Sequence, residues 1–166
     1  MHPRLFFRPE RCMLCLSCVL ACELNSLAIS DAREIPRGRR PLGRIAMTFS
    51  RGTPWPRKCQ QCTTAPCVEA CVTGSLVRQE GKAGILHRPE TCVGCGSCLL
   101  VCPHGAPSYD EREERMFKCT LCSEEEAPAC VRACQSRALV YREPNLFAWD
   151  KKKTFARELG RVHEGD

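Results

Sequence analysis

An α+β fold built from short, repeated units is what the sequence predicts, and three observations predict it. All sixteen cysteines fall into groups of four, so much of the 43% hydrophobic composition is unavailable to an ordinary core. The groups alternate between two spacings, which reads as a two-group unit used twice. Short β-like segments bounded by glycine and proline lie between the groups, in place of long helices.

The third group, Cys92-Val93-Gly94-Cys95-Gly96-Ser97-Cys98-Leu99-Leu100-Val101-Cys102-Pro103, has the C-x2-C-x2-C-x3-C-P spacing with which bacterial ferredoxins hold iron-sulfur clusters. Three thiolates two residues apart converge on one cubane from a tight loop, and Gly94 and Gly96 let that loop turn and lie close to inorganic sulfide. Cys98 and Cys102 are one helical turn apart, about 6 Å along the axis. A short helix can therefore offer the third ligand to one cluster and the fourth to its neighbour. The expected architecture is two interlocked bacterial-ferredoxin-like units, each built to hold two [4Fe-4S] clusters.

Arg8-Pro9-Glu10-Arg11-Cys12 opens the first group, Cys12, Cys15, Cys18 and Cys22, and Arg88-Pro89-Glu90-Thr91-Cys92 opens the third with the same cysteine spacing. The second group, Cys59, Cys62, Cys67 and Cys71, and the fourth, Cys119, Cys122, Cys130 and Cys134, share a leading lysine, Lys58 or Lys118. They also share a Cys-Val-x-Ala-Cys ending and a longer middle gap with Pro66 or Pro128. The A-B-A-B order points to duplication within a four-cluster domain of residues 1–143, as repeats 1–80 and 81–143 that meet near Glu80 to Ala83.

The insertion from Glu23 to Arg57 carries Arg33, Arg37, Arg39, Arg40, Arg44, Arg51 and Arg57 and no cysteine. Its prolines and glycines exclude a long helix, while Arg44 to Phe49 alternates as a strand does. It reads as a solvated excursion or as a basic surface facing a partner. Further strands are expected at Ser75 to Arg78 and Ile85 to Arg88, around the turn Glu80 to Gly84, and at Leu139 to Arg142. The acidic runs Asp110 to Glu114 and Glu124 to Glu126 read as solvated loops. In the tail, residues 144–166, Phe147, Trp149, Phe155 and Leu159 interrupt the basic Lys151, Lys152, Lys153 and Arg157. A helix from Ala148 to Leu159, ended by Gly160, would put Phe155 and Leu159 on one face. Such a tail either folds back on the thin core or docks on a partner subunit or a second copy of the chain.

Other function classes are excluded on composition and motif. The first eleven residues have no apolar core of an export signal, and Arg39-Arg40 lies too far inside for a twin-arginine leader, so a reducing cytoplasm is expected. No run approaches eighteen apolar residues, and no membrane span is expected. The formal charge of +6 counts cysteines as neutral; sixteen thiolates on four cores would bring it to about −2, so it is largely a counter-charge and does not argue for nucleic acid. With every cysteine grouped, none is left as a nucleophile or for a disulfide, and zinc sites prefer two C-x2-C pairs across a longer spacer. Four [4Fe-4S] clusters follow. His2, His87, His104 and His163 are scattered and read as surface or packing residues, with His104, just after Cys102-Pro103, the one placed to tune a cluster. There is no G-x-G-x-x-G and no P-loop, and no catalytic site of the chain's own is expected.

The final cysteine of one group completes the cluster of a partner group, and four groups leave three ways to pair them. From Cys12 through Arg142 the chain resembles the four-cluster iron-sulfur subunits of complex oxidoreductases, the family of the formate dehydrogenase and dimethyl-sulfoxide reductase electron-transfer subunits. The resemblance implies that the first group pairs with the fourth and the second with the third. One cluster would take Cys12, Cys15, Cys18 and Cys134, and a second Cys119, Cys122, Cys130 and Cys22. A third would take Cys59, Cys62, Cys67 and Cys102, and a fourth Cys92, Cys95, Cys98 and Cys71. Leu14 to Cys22, Gln61-Cys62, Ala65 to Val68 and Pro128 to Val131 are worded most like the family's cytoplasmic members associated with CO dehydrogenase; others serve hydrogenases, formate dehydrogenases and tungsten aldehyde oxidoreductases. It implies a relay of single electrons between a catalytic metalloenzyme subunit and an acceptor subunit, flavin-containing subunits included. The chain departs from the family in Glu23, Val72 and Gln135, which stand where proline is common, so a backbone N–H there is free to reach sulfur. A free-standing polyferredoxin and a cluster-based redox sensor or assembly protein are the alternatives, though a sensor would need a separate effector module.

Overall fold

The computed structural model describes residues 2–37, 43–79 and 84–163, the last three as backbone alone. The junction expected near Glu80 to Ala83 lies outside these residues, as do Arg39 and Arg40. Mixed helix and strand is what the described residues form. In chain order they run β1 (Arg4–Phe7), α1 (Ser17–Leu27), β2 (Ile45–Ser50), β3 (Thr53–Lys58), α2 (Pro66–Glu69), β4 (Leu76–Arg78) and β5 (Ile85–His87). There follow α3 (Ser97–Leu100), β6 (Ser108–Asp110), β7 (Arg115–Phe117), α4 (Ala129–Arg132), β8 (Leu139–Arg142) and α5 (Pro144–His163). The strands expected from Arg44, Ser75, Ile85 and Leu139 onward are β2, β4, β5 and β8.

Every described strand belongs to a two-stranded antiparallel sheet: β1 with β8, β2 with β3, β4 with β5, β6 with β7. Such pairs are marginal by themselves and need something to pack on. The pairing of β1 with β8, from Arg4 opposite Arg142 to Phe7 opposite Leu139, joins the two ends of the cysteine-bearing chain. It brings the group after β1 beside the group before β8, and α1 packs on α4. The β4–β5 pair does the same for the second and third groups, with α2 on α3.

Two small apolar clusters result. One holds Leu5, Ile45, Leu121, Cys130 and Leu139, with Cys18, Cys22, Cys119 and Cys134 packed against it. The other holds Ala65, Cys67, Leu76, Ile85, Cys98 and Met116, with Cys71 and Cys92 at its edge. Each strand contributes about one inward residue, and sulfur supplies much of the rest.

Three expectations are corrected. Gly160 does not end the tail helix, which runs from Pro144 to His163; an interior glycine costs only about 1 kcal/mol, and the residues around it are good helix formers. Asp110 is not a solvated loop residue: it is buried, and its Oδ1 accepts the Arg112 N–H at 3.0 Å, which closes the β6–β7 turn. The insertion is not a free solvated excursion either: Arg44 is half-buried, and both it and the exposed Arg57 bond to other parts of the chain. Arg57 donates to the Gly105 carbonyl at 2.8 Å and Arg44 to Thr120 Oγ1 at 3.4 Å, tying the insertion to the third and fourth groups.

The first turns of α5 fold back on the core. Phe147 stacks on Phe6 with ring centroids 4.1 Å apart, the Arg8 guanidinium lies 5.2 Å from the Phe147 centroid, and Lys151 pairs with Glu10 at 3.1 Å. Trp149, Phe155 and Leu159 remain exposed.

Leu139 is 3% exposed at the end of the β1–β8 pair, so Leu139→Ala should destabilise the protein by about 2–5 kcal/mol. Leu100, 86% exposed, should tolerate alanine within about 0.5 kcal/mol. Guanidinium unfolding followed by tryptophan fluorescence separates the two; equal effects would contradict the packing described.

Candidate metal centres

The sixteen thiols surround four cavities of similar size, with 420, 410, 380 and 340 Å³ of space free of protein atoms. Cys71, Cys92, Cys95 and Cys98 line the first, and Cys22, Cys119, Cys122 and Cys130 the second. Cys12, Cys15, Cys18 and Cys134 line a third, and Cys59, Cys62, Cys67 and Cys102 the fourth. Three cysteines of one group thus meet the last cysteine of another in every cavity. The crossing is made by helices: α1 carries both Cys18 and Cys22, which enter neighbouring cavities. The other three helices are shorter than the spacing argument expected. Cys98 lies in α3 but Cys102 lies just past its end, and α2 and α4 likewise hold Cys67 and Cys130 but not Cys71 and Cys134.

Each loop turns at a left-handed residue directly before its second cysteine: Leu14 (φ 57°), Gln61 (φ 52°), Gly94 (φ 67°) and Leu121 (φ 61°). The first and third groups add a second such residue, Leu16 (φ 58°) or Gly96 (φ 76°), which also caps the following helix, and in the fourth group Cys122 itself is left-handed (φ 51°). A non-glycine residue in this region costs about 1–2 kcal/mol, so backbone strain is concentrated where the thiols converge. Gly94 is there for a further reason. A Cβ on it would lie 2.4 Å from the Glu114 carbonyl oxygen, whereas one on Gly96 would meet open space.

Burial pushes the thiols of Cys98 and Cys119 up to about 11, helped at Cys98 by the facing Cys67, Cys92 and Cys71. Cys130 is pushed up as well, by burial and by Cys119 and Cys22, and Cys18 by burial and by Cys134. The exposed Cys15 and Cys95 are lowered instead, by hydrogen bonds with Ser17 and Ser97. Crowded, desolvated thiols ionise readily only against a cation, which is what a metal core supplies. The N–H groups of Leu121, Ala106 and Leu139 donate to Cys119, Cys102 and Cys134 sulfur, each at 3.4 Å. Ala106 and Leu139 stand further along the chain than the positions directly after the fourth cysteines, and Leu121 follows the first cysteine of its group.

Of four further residues near the thiols, only His104 is assigned a role at a cluster from sequence. His87, read as surface or packing, lines the cavity of Cys71, Cys92, Cys95 and Cys98, and its buried Nε2 has no hydrogen-bond partner among the described residues. Burial and the charges of Lys118 and Arg44 bring it down to about 4, so it is neutral near pH 7. His104 lines the cavity of Cys59, Cys62, Cys67 and Cys102. Lys58 and Lys118, noticed only as shared leaders, are buried among the cavities; their repetition at the same offset was the available signal.

Among the described residues no three His, Cys, Asp or Glu side chains converge closely enough for a single metal ion. A mononuclear zinc site draws its thiolates to about 4 Å from one another. The quartets stand round cavities instead, and a donor set of four thiols so arranged suits a multinuclear iron-sulfur core.

Known proteins agree on this chemistry. The 4Fe-4S dicluster domain family matches residues 52–143. The chain is 31% identical to an iron-sulfur protein of Rhodospirillum rubrum, over 96% of this chain and 92% of that one. It is 34% identical to a ferredoxin of Methanocaldococcus jannaschii, over 85% and 73%, and 28% identical to the electron transport protein HydN of Escherichia coli, over 82% and 85%.

Gly94→Ala should therefore lower the iron retained after anaerobic purification well below that of Gly96→Ala, since only the former drives a Cβ into backbone. Equal iron in the two variants would mean that φ alone, and not the approach to Glu114, sets the need for glycine at position 94.

Proposed function

The chain belongs to the 4Fe-4S dicluster domain family of ferredoxin-type electron-transport proteins, and on that premise we propose that it relays single electrons through four [4Fe-4S] clusters between a catalytic redox subunit and an acceptor. The observation that carries this reading is the exhaustion of sixteen thiols by four cavities. Cys12, Cys15, Cys18 and Cys134 hold one cluster, and Cys119, Cys122, Cys130 and Cys22 its neighbour. Cys59, Cys62, Cys67 and Cys102 hold a third, and Cys92, Cys95, Cys98 and Cys71 a fourth. When bound, such a core takes up and returns one electron with its thiolate ligands unchanged.

The residues of the chain ligate, desolvate and position. Outer and inner pairs of groups make two interlocked ferredoxin-like units within residues 1–143. Cys15 and Cys95 are exposed, beside the exposed Met13 and Val93, which favours the two end clusters as the points where partners come close. The catalytic partner is a metalloenzyme of the CO dehydrogenase, formate dehydrogenase, tungsten aldehyde oxidoreductase or hydrogenase type, and the acceptor an electron-accepting subunit, a class that includes flavin-containing ones. The chain itself performs no substrate chemistry. A reducing cytoplasm suits sixteen unpaired cysteines, and among the described residues no helix is long and apolar enough to cross a membrane. The exposed Trp149, Phe155 and Leu159 offer α5 to the partner or to a second copy.

Anaerobically isolated protein should contain about sixteen iron and sixteen sulfide per chain. Iron near eight, or zinc in its place, would sink the reading. Cys134→Ser should alter the same paramagnetic signal as Cys12→Ser, and Cys22→Ser the same one as Cys119→Ser; a match of Cys12→Ser with Cys71→Ser or Cys102→Ser would refute the pairing. Truncation after Lys152 keeps Phe147 and Lys151 on the core, so it should leave iron unchanged while abolishing co-purification with the catalytic subunit. Unchanged co-purification would return the exposed half of α5 to a passive role.

A further inference from the structure

Lys58 and Lys118 are 5% and 2% exposed, rare burial for an ammonium. Lys118 Nζ donates to the Ile85 carbonyl at 2.6 Å and the Cys119 carbonyl at 2.9 Å, and Lys58 Nζ to Gln60 Oε1 at 3.1 Å. Among the described residues neither forms an ion pair with a carboxylate. A buried cation needs an anion close by, and the groups on hand are thiols.

The placement of the two is crossed. Lys58 precedes Cys59 of the second group, yet it lines the cavity of Cys22, Cys119, Cys122 and Cys130, and the thiol charge it feels most is that of Cys119. Lys118 precedes Cys119 of the fourth group, yet it lines the cavity of Cys59, Cys62, Cys67 and Cys102 as well as that of Cys71, Cys92, Cys95 and Cys98. The thiol charge it feels most is that of Cys59. Gln61 stitches the same seam, donating to the Cys119 carbonyl at 2.7 Å and accepting the Ile85 N–H at 2.8 Å. The quartets of Cys22 and of Cys102 therefore meet across this seam, while that of Cys95 borders it through Lys118 and that of Cys15 touches neither lysine.

We infer that Lys58 and Lys118 are a crossed pair of buried counter-charges that hold the travelling electron on the two middle quartets, those completed by Cys22 and by Cys102. The inference rests on the four-cluster reading above. One electron leaves a neighbouring cluster, which is oxidised, and enters a middle one, which is reduced; no proton moves and no bond breaks. A fixed positive charge at the wall favours the reduced, more negative state, so each lysine raises the midpoint of the quartet it faces. Lys118 also borders the quartet of Cys95, but the thiol charges it feels most are those of Cys59, Cys119 and Cys67, so its effect falls chiefly on the middle quartets and the end clusters lie lower.

The test is an anaerobic redox titration of the full, loaded chain, with each paramagnetic signal assigned through its serine variant. Lys58→Gln should lower the reduction equilibrium constant of the Cys22, Cys119, Cys122 and Cys130 signal at least tenfold, 59 mV for one electron. The Cys12, Cys15, Cys18 and Cys134 signal should stay within twofold. Lys118→Gln should do the same to the Cys59, Cys62, Cys67 and Cys102 signal, and Lys58→Arg and Lys118→Arg should restore both. Full iron and sulfide with all midpoints within twofold of the unsubstituted protein would overturn the inference. If a glutamine variant loses iron while its arginine variant keeps it, the charge is required and the inference stands; loss in both would leave only a packing role and overturn it. An unsubstituted protein without about sixteen iron would instead refute the four-cluster reading itself.

Discussion

Thiols that face one another across four cavities are the constraint on which the rest of this structure depends. Without a cation between them they are driven away from ionisation, as burial drives Cys98, Cys119 and Cys130. Around them, among the described residues, stand two small apolar clusters, each fed by about one residue per strand. A chain of this size with so little aliphatic core depends on metal ligation for much of its folding free energy. The two-stranded sheets, short helices and left-handed loop residues are then the means of bringing sulfur to four places.

That dependence explains why strain is tolerated in the loops. Leu14, Leu16, Gln61 and Leu121 adopt a backbone conformation that glycine would adopt more cheaply. Leu14, Leu16 and Leu121 give their side chains to the walls of the cavities, which a glycine cannot do. The third group uses glycine instead, and Gly94 admits the Glu114 carbonyl where a side chain would clash. Loops of different polarity around otherwise similar donors are one of the levers by which a protein makes its clusters unequal.

The second lever is charge placed across the fold. Because β1 pairs with β8 and β4 with β5, the second and fourth groups approach along a seam built by Gln61, Ile85, Lys58 and Lys118. Residues next to each other in sequence serve different cavities, and residues far apart serve the same one. The arginine-rich insertion contributes to this order, since Arg44 and Arg57 reach the loops of the fourth and third groups.

The local chemistry was legible in the sequence by itself. Ligand spacing is a short-range property, so the cysteine groups, the α+β character and the strands β2, β4, β5 and β8 could be read from residues a few positions apart. Family membership followed from the same spacing. Tertiary structure alone decided which distant cysteine shares a cavity with which three, because the β1–β8 pairing that brings Cys134 beside Cys12 leaves no trace in local pattern. It also decided that Asp110, Lys58 and Lys118 are buried and that His87 lines a cavity, against composition rules that send charged residues to the surface. Gly160 shows the same limit from the other side: as a local signal it marks an end, and the helix runs through it because one residue's propensity is smaller than the sum of its neighbours'.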